Sequence, residues 1–400
     1  MAFRYDFIKR NRNSISSIPN LLDALGIEQV QFEQFQNLRD LDKYKASSVP
    51  KSDGKIRTVY NPAQLIRLFQ RRINTRIFHP KHSQGGLITW PSYLFGSIPN
   101  NPQSPESSSR NYITCAGMHC GAKSILKMDI SDFFDNIHHR EVINIFEKLL
   151  KFPNDVSRTL ADICCHKGNV VQGALTSSYI ASAVLFDVEP NVVRRMHEKH
   201  LVYTRLVDDI TISSKIYDYD FSYAKNIVID MLRKKGLPTN ENKTIVINSS
   251  TKEGLVHGLR VCFKEPRLPA DEVGKIRASV QHVERFARDA EYRTSREYRR
   301  IYNRCLGRVN RLKQLGHNQY QNLKDRLIKI EPKPCKADIK KARNLVRKVK
   351  TLHKDYGSGY RYRRLYYKAQ YELNILQRTF SVTADSLRKQ LRRVKPTYEQ

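Results

Sequence analysis

The sequence predicts an α+β fold followed by a largely helical, basic C-terminal region. Between residues 125 and 261, apolar runs of strand length alternate with stretches of helical periodicity, a pattern typical of a sheet with helices packed on one face. Beyond Pro269 the pattern is almost wholly helical. The 400-residue chain is 40% hydrophobic, so it can bury a large core, and its length favours two or three subdomains.

Local signals predict the elements in chain order. Apolar spacing indicates helices within residues 1–45, and two strand-like pieces around a Ser-Asp-Gly turn indicate a hairpin over residues 48–62. A basic helix should run from Ala63 to about Phe78, and residues 96–110 read as a surface loop. The later predicted elements are a strand ending at Asp129, helices over 139–150, 174–197 and 223–235, a hairpin over 200–214, strands over 243–247 and 255–261, and a break in the last helices around 331–335.

Charge and cysteine content narrow the class of protein. The formal net charge of +32 favours a polyanionic partner, with nucleic acid the most natural one. Residues 271–400 hold 34 Lys and Arg against 13 Asp and Glu, so this region should make the main electrostatic contact. Seven cysteines without paired metal-ligand spacing indicate reduced thiols. With no secretion signal and no apolar run of the roughly 20 residues that span a bilayer, a soluble cytoplasmic protein is expected.

Three carboxylates form the most informative pattern. Asp208 and Asp209 stand side by side at the predicted tip of the 200–214 hairpin, where like charges beside apolar strands repel unless a cation neutralises them. Asp129 ends another predicted strand. If the two strands are neighbours in one sheet, the three side chains can converge on oxygen-preferring Mg²⁺ ions.

Six segments carry a longer pattern, in one order along the chain. They are Pro50–Pro62, Asp129-Ile-Ser-Asp-Phe-Phe134, Gln172–Ser178, Leu206-Val-Asp-Asp209, Gly236–Thr244 and His257-Gly-Leu. In this order they resemble the fingers hairpin, palm motifs and primer grip of bacterial reverse transcriptases of the retron and defence-associated (DRT, unknown-group) type. Leu206 stands where that family usually has Tyr. Cys115–His119 and Val256–Gly258 resemble retron signatures with one departure each, so a sister defence lineage fits as well.

The resemblance implies a right-hand polymerase with fingers, palm and thumb. The expected division is an N-terminal helical segment (1–45), fingers (46–124), palm with interleaved fingers helices (125–265), thumb (266–330) and a basic helical extension (331–400). It further implies two Mg²⁺ ions, or Mn²⁺, about 3.5 to 4 Å apart. Their expected ligands are Asp129, Asp208, Asp209 and the backbone carbonyl of Ile130.

The same resemblance implies roles for other residues. Lys243 is a candidate acid for the leaving pyrophosphate, and Lys51 and Arg57 would clamp the dNTP triphosphate. Gln172 and Gly173, with Ala174, would let the nucleotide approach closely. Phe134 would exclude a ribose 2′-hydroxyl, although Phe133 could face inward instead. Expected nucleic-acid contacts come from His119, His257, Gly258, Arg361, Arg363 and Arg364. For the two histidines a structural role is the alternative, and for the three arginines the alternative is a solvated helix whose tyrosines pack inward.

The implied function is RNA-directed DNA polymerisation on a cognate structured noncoding RNA, with dNTPs as substrates and an RNA–DNA duplex as product. A role in defence against phage, with a possible effector protein, is also implied. Two alternatives stay open: a nucleotidyl transferase of the same fold that works without a template or makes RNA, and a catalytically idle RNA-binding protein.

Overall fold

The computed structural model describes residues 3–10, 15–50, 54, 56–79, 86–100, 109–357 and 359–397. The chain divides into two compact units, Met1–Arg267 and Leu268–Gln400. The boundary lies close to the predicted change from mixed to wholly helical structure.

The first unit mixes short helices and strands. Its elements are β1 (Ile8–Lys9), α1 (Ile18–Leu25), α2 (Gln29–Gln36), α3 (Asp40–Lys43), β2 (Tyr44–Pro50), β3 (Ile56–Pro62), α4 (Gln64–Ile73), β4 (Ile88–Thr89), β5 (Leu94–Phe95), α5 (Tyr112–Gly117), β6 (Ser124–Asp129), α6 (His139–Asn144), α7 (Asn154–Cys164), β7 (Cys165–His166), β8 (Asn169–Val170), α8 (Ser177–Ala183), α9 (Glu189–Glu198), β9 (Val202–Leu206), β10 (Asp209–Ser214), α10 (Ser222–Arg233), β11 (Ile245–Asn248), β12 (Leu255–Val256) and β13 (Leu259–Arg260). Single π-helical turns extend α4 and α6.

A five-stranded sheet forms the centre of this unit, with strand order β11-β6-β10-β9-β5. All neighbours are antiparallel except β5 and β9, which are parallel. The inner strands β6 and β10 are buried along almost their whole length, and their apolar residues are Ile125, Leu126 and Met128 of β6 and Ile210 and Ile212 of β10. Because β6 ends at Asp129 and β10 begins at Asp209, both residues lie at the same edge of the sheet.

Helices cover this sheet and share one apolar core with it. Leu126 of β6, Ile212 of β10, Phe146 and Ile180 are all fully buried within that core. The ring of Phe78 stacks on that of Tyr179 at a centroid distance of 5.3 Å. The β2–β3 hairpin, in contrast, leaves most of its side chains exposed.

The second unit contains α11 (Ala270–Ala287), α12 (Arg296–Gln314), α13 (Tyr320–Lys329), α14 (Lys336–Tyr356), α15 (Tyr360–Leu376) and α16 (Ser381–Arg392). The last three helices bury an apolar cluster that includes Val346, Tyr362 and Leu387. Arg299 of α12 pairs with Asp338 of α14 through its two Nη atoms, which fixes α12 to α14.

The predicted elements are confirmed in most places and corrected in three. The segment 1–45 is helical only from Ile18, because Ile8–Lys9 forms a strand with β4 and β2 already begins at Tyr44. The predicted helix over 174–197 is two helices, α8 and α9. The predicted strand over 255–261 is the hairpin β12–β13, because His257 and Gly258 both have positive φ and reverse the chain.

A search of the described residues finds no helix that is both long and apolar enough to cross a membrane.

Candidate active site

The three predicted carboxylates meet at one edge of the central sheet. Asp129 and Asp209 are direct cross-strand partners in the antiparallel pair β6–β10. Asp208 precedes Asp209 in the two-residue turn between β9 and β10, and its carbonyl accepts a hydrogen bond of 3.2 Å from the Ile130 N–H. The sequence prediction that distant acids converge is therefore confirmed at the level of the backbone.

Burial and mutual repulsion make this edge unfavourable for negative charge. Desolvation is the largest cause of the raised pKa of Asp208, and the charge of Asp129 adds to it. Desolvation also raises the pKa of Asp209 to about 6, with further repulsion from Asp208 and Asp129. A bound cation would relieve both effects, and carboxylate oxygens are the ligands that Mg²⁺ prefers. The donor set therefore fits a divalent metal ion.

Asp129 already has cationic and polar partners. Its Oδ2 accepts hydrogen bonds from Lys243 Nζ at 3.1 Å and from Asn240 Nδ2 at 3.2 Å. The hydrogen bond to Asp129 is the largest cause of the raised pKa of Lys243. Within the part of the chain that the structure describes, no group of three His, Cys, Asp or Glu side chains is arranged to hold a metal ion. The three acids thus lie at one edge of the sheet, but their side chains are not arranged as a complete set of metal ligands.

An open cleft of about 330 Å³ adjoins these groups. Asp129, Asp209 and Lys243 line it, together with Lys127 and Asn242. The carboxylates of Asp129 and Asp209 are thus accessible to a ligand from the cleft.

Arg57 is the described member of the predicted triphosphate clamp. It lies exposed on β3, and its positive charge acts to lower the pKa of Asp208, against the effect of burial. The arginine is therefore close enough to influence the acidic edge. Lys51, the other predicted member, lies outside the described residues.

The segment Gln172–Gly173 packs against the same hairpin. The Tyr60 N–H donates a hydrogen bond of 2.7 Å to the Gln172 carbonyl. A Cβ built on Gly173 would lie 2.4 Å from the Tyr60 carbonyl oxygen, and the φ of Gly173 is +108°. The missing side chain at Gly173 therefore admits the backbone of β3, a reason the sequence prediction did not include.

Phe134 and Phe133 differ in exposure. Phe133 is buried in the core, whereas Phe134 is only partly buried at the core surface. Of the two, Phe134 is the ring that a ligand can reach.

The two predicted nucleic-acid-binding histidines lie inside the first unit. His119 is 1% exposed, and its ring nitrogens bond Ser213 Oγ and Thr204 Oγ1, each at 2.7 Å. Of the two roles that the sequence left open for His119, the structure therefore favours the structural one over contact with nucleic acid, because the ring is buried and both of its nitrogens bond residues of the first unit. Burial lowers the pKa of His119 to about 3, so the ring is neutral.

His257 lies behind Asp209. Its Nε2 is 3.3 Å from the Cys115 Sγ and its Nδ1 is 3.8 Å from Asp209 Oδ2. Burial lowers the pKa of His257 to about 4, so at neutral pH this second contact is not an ion pair. With its side chain 7% exposed, His257 supports the acidic edge from within, whereas Gly258 beside it is exposed in the β12–β13 turn.

Arg361, Arg363 and Arg364 lie on α15 in the second unit, where Arg361 and Arg364 are exposed. Tyr362 and Tyr366 of the same helix are buried, as the alternative interpretation of this segment expected, while Tyr367 and Tyr371 are about half exposed. The helix therefore combines an inward tyrosine face with an outward basic one. A groove of about 630 Å³ on this unit is also basic, lined by Lys336, Lys340, Arg343 and Arg347 of α14.

Two contributors to the site were not predicted. Asn240 bonds Asp129, and Cys115 bonds His257. Both stand within segments that had been singled out as motifs, so the motif positions were the available signal. Their partners are more than 100 residues away, which no local pattern could reveal.

Comparisons with known proteins agree with the motif order. Residues 49–273 match the family model described as reverse transcriptase (RNA-dependent DNA polymerase). The chain is 42% identical over 389 residues to the Retron Ec48 reverse transcriptase of Escherichia coli, covering 96% of this chain and 93% of that protein. It is 30% identical over 329 residues to the Retron Se72 reverse transcriptase of Salmonella heidelberg (strain 579083-10), covering 80% and 81%. Among solved structures, telomerase from Candida tropicalis with a fragment of telomeric RNA aligns over 98% of this chain and 71% of its own, with 12% identity and a TM-score of 0.41.

The buried His119 predicts a pH-dependent stability. Because its folded-state pKa of about 3 lies below the unfolded value of 6.5, its contribution is complete above pH 6.5 and is lost as pH falls toward 3. At pH 5 this loss should be about 2 kcal/mol of unfolding free energy. Urea unfolding at pH 7.5 and at pH 5 should show that the free energy of unfolding falls less between the two pH values in His119→Gln than in the wild type. His282→Gln, at an exposed helical position, is the control; equal pH dependence in wild type and His119→Gln would contradict this prediction.

The close approach at Gly173 predicts a cost for any side chain there. Gly173→Ala should lower the free energy of unfolding by about 1–3 kcal/mol, since the methyl group must displace β3. Gly168→Ala is the matched control, because its φ is +83° but nothing lies within 4 Å of the added Cβ. The free energy of unfolding of both variants should be measured by urea unfolding. Equal effects from the two variants would show that backbone strain alone matters.

Proposed function

The chain belongs to the reverse transcriptase family, and from this premise we propose that Asp129, Asp208 and Asp209 form its polymerase site. Its activity is RNA-directed synthesis of DNA, and its fold is the right-hand polymerase fold. In this assignment the β2–β3 hairpin belongs to the fingers, the five-stranded sheet is the palm, and the second unit provides the thumb and the basic extension.

A single observation carries the proposed site. Asp129 lies directly opposite Asp209 in the β6–β10 register, both residues line one open cleft, and Asp208 occupies the adjoining turn. The raised pKa values of Asp208 and Asp209 support the same assignment, because they indicate a surplus of negative charge that a cation would offset.

The family uses divalent metal ions, and we assign two Mg²⁺ ions, or Mn²⁺, to this edge. The carboxylates of Asp129 and Asp208 would be the main ligands, with Asp209 and the Ile130 carbonyl as further ones. When bound, such ions favour deprotonation of a primer 3′-hydroxyl and stabilise the departing pyrophosphate.

The remaining residues bind substrate and move protons. Lys243 Nζ carries its proton beside Asp129 and can donate it to the leaving pyrophosphate. Arg57 and Lys51 hold the triphosphate, and Gln172 and Gly173 border the nucleotide. Phe134, the accessible ring, would exclude a ribose 2′-hydroxyl.

RNA is the template, as the family description states. We propose that this RNA is a cognate structured noncoding RNA, bound in part by the basic second unit. The retron names of both relatives support this, as do the basic groove of α14 and the exposed Arg361 and Arg364. A role in defence against phage, with an effector protein, stays a prediction.

The acidic site can be tested with Asp208→Asn combined with Asp209→Asn. Because the amides remove two negative charges from the metal-binding edge, dNTP incorporation by protein purified with its bound RNA should fall below detection, while the amount of retained RNA stays unchanged. Asp230→Asn, which alters an exposed carboxylate on α10, should behave as wild type. Chelation of divalent ions should also abolish incorporation in the wild type.

Incorporation that persists in the double variant would remove these acids from the site. Nucleotide-omission reactions on the wild type separate templated from untemplated synthesis, because only a templated product requires every dNTP that the RNA specifies.

Phe134 can be tested by its effect on sugar selection. Phe134→Ala should lower the preference for dNTP over rNTP, in kcat/KM, by about tenfold or more, because the ring no longer fills the space of the 2′-hydroxyl. Phe134→Leu keeps most of the bulk and should retain most of the preference. An unchanged ratio in Phe134→Ala would show that another group excludes ribose.

A further inference from the structure

Arg205 and Glu189 form an ion pair in the interior of the first unit. Both side chains are fully buried. Arg205 Nε lies 2.6 Å from Glu189 Oε1, and Nη2 lies 2.7 Å from Oε2, which is the two-pronged geometry that suits these groups. Removing two charges from water is costly, so a buried pair is weak evidence for stability alone. Its other hydrogen bonds indicate what the pair does.

Arg205 connects three segments of the chain. Its guanidinium donates to the carbonyls of Ala181 at 3.1 Å and Ser182 at 2.9 Å, near the end of α8, and to the carbonyl of Val207 at 3.1 Å. With the two hydrogen bonds to Glu189, all five N–H groups have acceptors. Glu189 is the first residue of α9, so each charge lies at the helix end that favours it.

The Val207 carbonyl belongs to the turn that carries Asp208. Val207 has a φ of 60°, in the left-handed region that β-branched residues strongly disfavour. A turn of this kind persists only where the surrounding contacts fix it. Arg205 holds the carbonyl before Asp208, and Ile130 N–H holds the carbonyl of Asp208 itself. The backbone on both sides of the Asp208 side chain is therefore tethered.

We propose that Arg205 and Glu189 are positioning residues, whose buried pair holds the strained Val207–Asp208 turn so that the Asp208 carboxylate stands where the divalent cation binds. The inference rests on the proposed function, since it takes Asp208 as a metal ligand. Tyr203 belongs to the same hydrogen-bond network. Its hydroxyl donates a hydrogen bond of 2.8 Å to Glu189 Oε1 and so orients the Glu189 carboxylate.

Arg205→Lys tests the proposal. Lysine keeps the charge but has only three N–H donors, so it cannot donate hydrogen bonds to Glu189, the α8 carbonyls and the Val207 carbonyl at the same time. The Mg²⁺ concentration for half-maximal activity should rise about tenfold, as expected for loss of a group that orients a metal ligand. The Kd for template–primer duplex should be unchanged.

A rescue experiment separates positioning from simple destabilisation. Glycine adopts a φ of 60° without strain, so in a Val207→Gly background the same Arg205→Lys change should raise the Mg²⁺ requirement by about threefold at most. Tyr203→Phe removes one hydroxyl from the network and should fold even if Arg205→Lys does not. It should raise the Mg²⁺ requirement by about two- to fivefold.

Arg299→Lys is the matched control. It weakens another buried arginine–carboxylate pair, in the second unit, and should lower the melting temperature without changing the Mg²⁺ requirement. If Arg205→Lys and Tyr203→Phe lower the melting temperature but keep the wild-type Mg²⁺ dependence, the pair is only structural and the inference is overturned. If the wild type is inactive, or Asp208→Asn stays active, the proposed function fails instead.

Discussion

The pairing register between β6 and β10 is the constraint on which the candidate active site depends. It puts Asp129 directly opposite Asp209, although the two residues are 80 positions apart in the chain. A shift of one residue in either strand would turn its apolar side chains out of the core and move one acid away from the other. The six cross-strand pairs from Asp209–Asp129 to Ser214–Ser124 therefore fix the site through the burial of residues such as Leu126 and Ile212, which take no part in chemistry.

The same dependence explains which parts of the site could be predicted from the sequence. The Asp208–Asp209 hairpin and the strand before Asp129 are local patterns, and both were found. The burial of His119 was not, because it depends on β9 and β10 supplying Thr204 and Ser213 from 85 and 94 residues away. Gly173 was recognised as significant, but its reason lies in β3, which only the folded chain brings to it.

Electrostatic contacts between residues far apart in the chain could not be predicted from local sequence patterns either. Lys243 was selected by its motif position, yet its contact with Asp129 spans 114 residues. Arg205 was not singled out in the sequence, whereas the structure buries it completely in β9 against Glu189. Whether a charged side chain faces solvent or a partner depends on how α8 and α9 pack behind β9. Helical periodicity predicted a single helix over 174–197, and neither its division into α8 and α9 nor their packing could be predicted from it.

The positive charges near the acidic edge belong to exposed or cleft-lining side chains and not to the interior. Behind Asp209 lie His257 and, further in, His119, and burial keeps both rings neutral at neutral pH. The two rings make hydrogen bonds to buried residues, but they carry no positive charge that could offset the carboxylates. Lys243 and Lys127 line the open cleft, and the exposed Arg57 of β3 acts on Asp208 through its charge. Because the interior supplies no positive charge to Asp129 and Asp209, the cleft that these two residues line is the open side from which a cation can reach them.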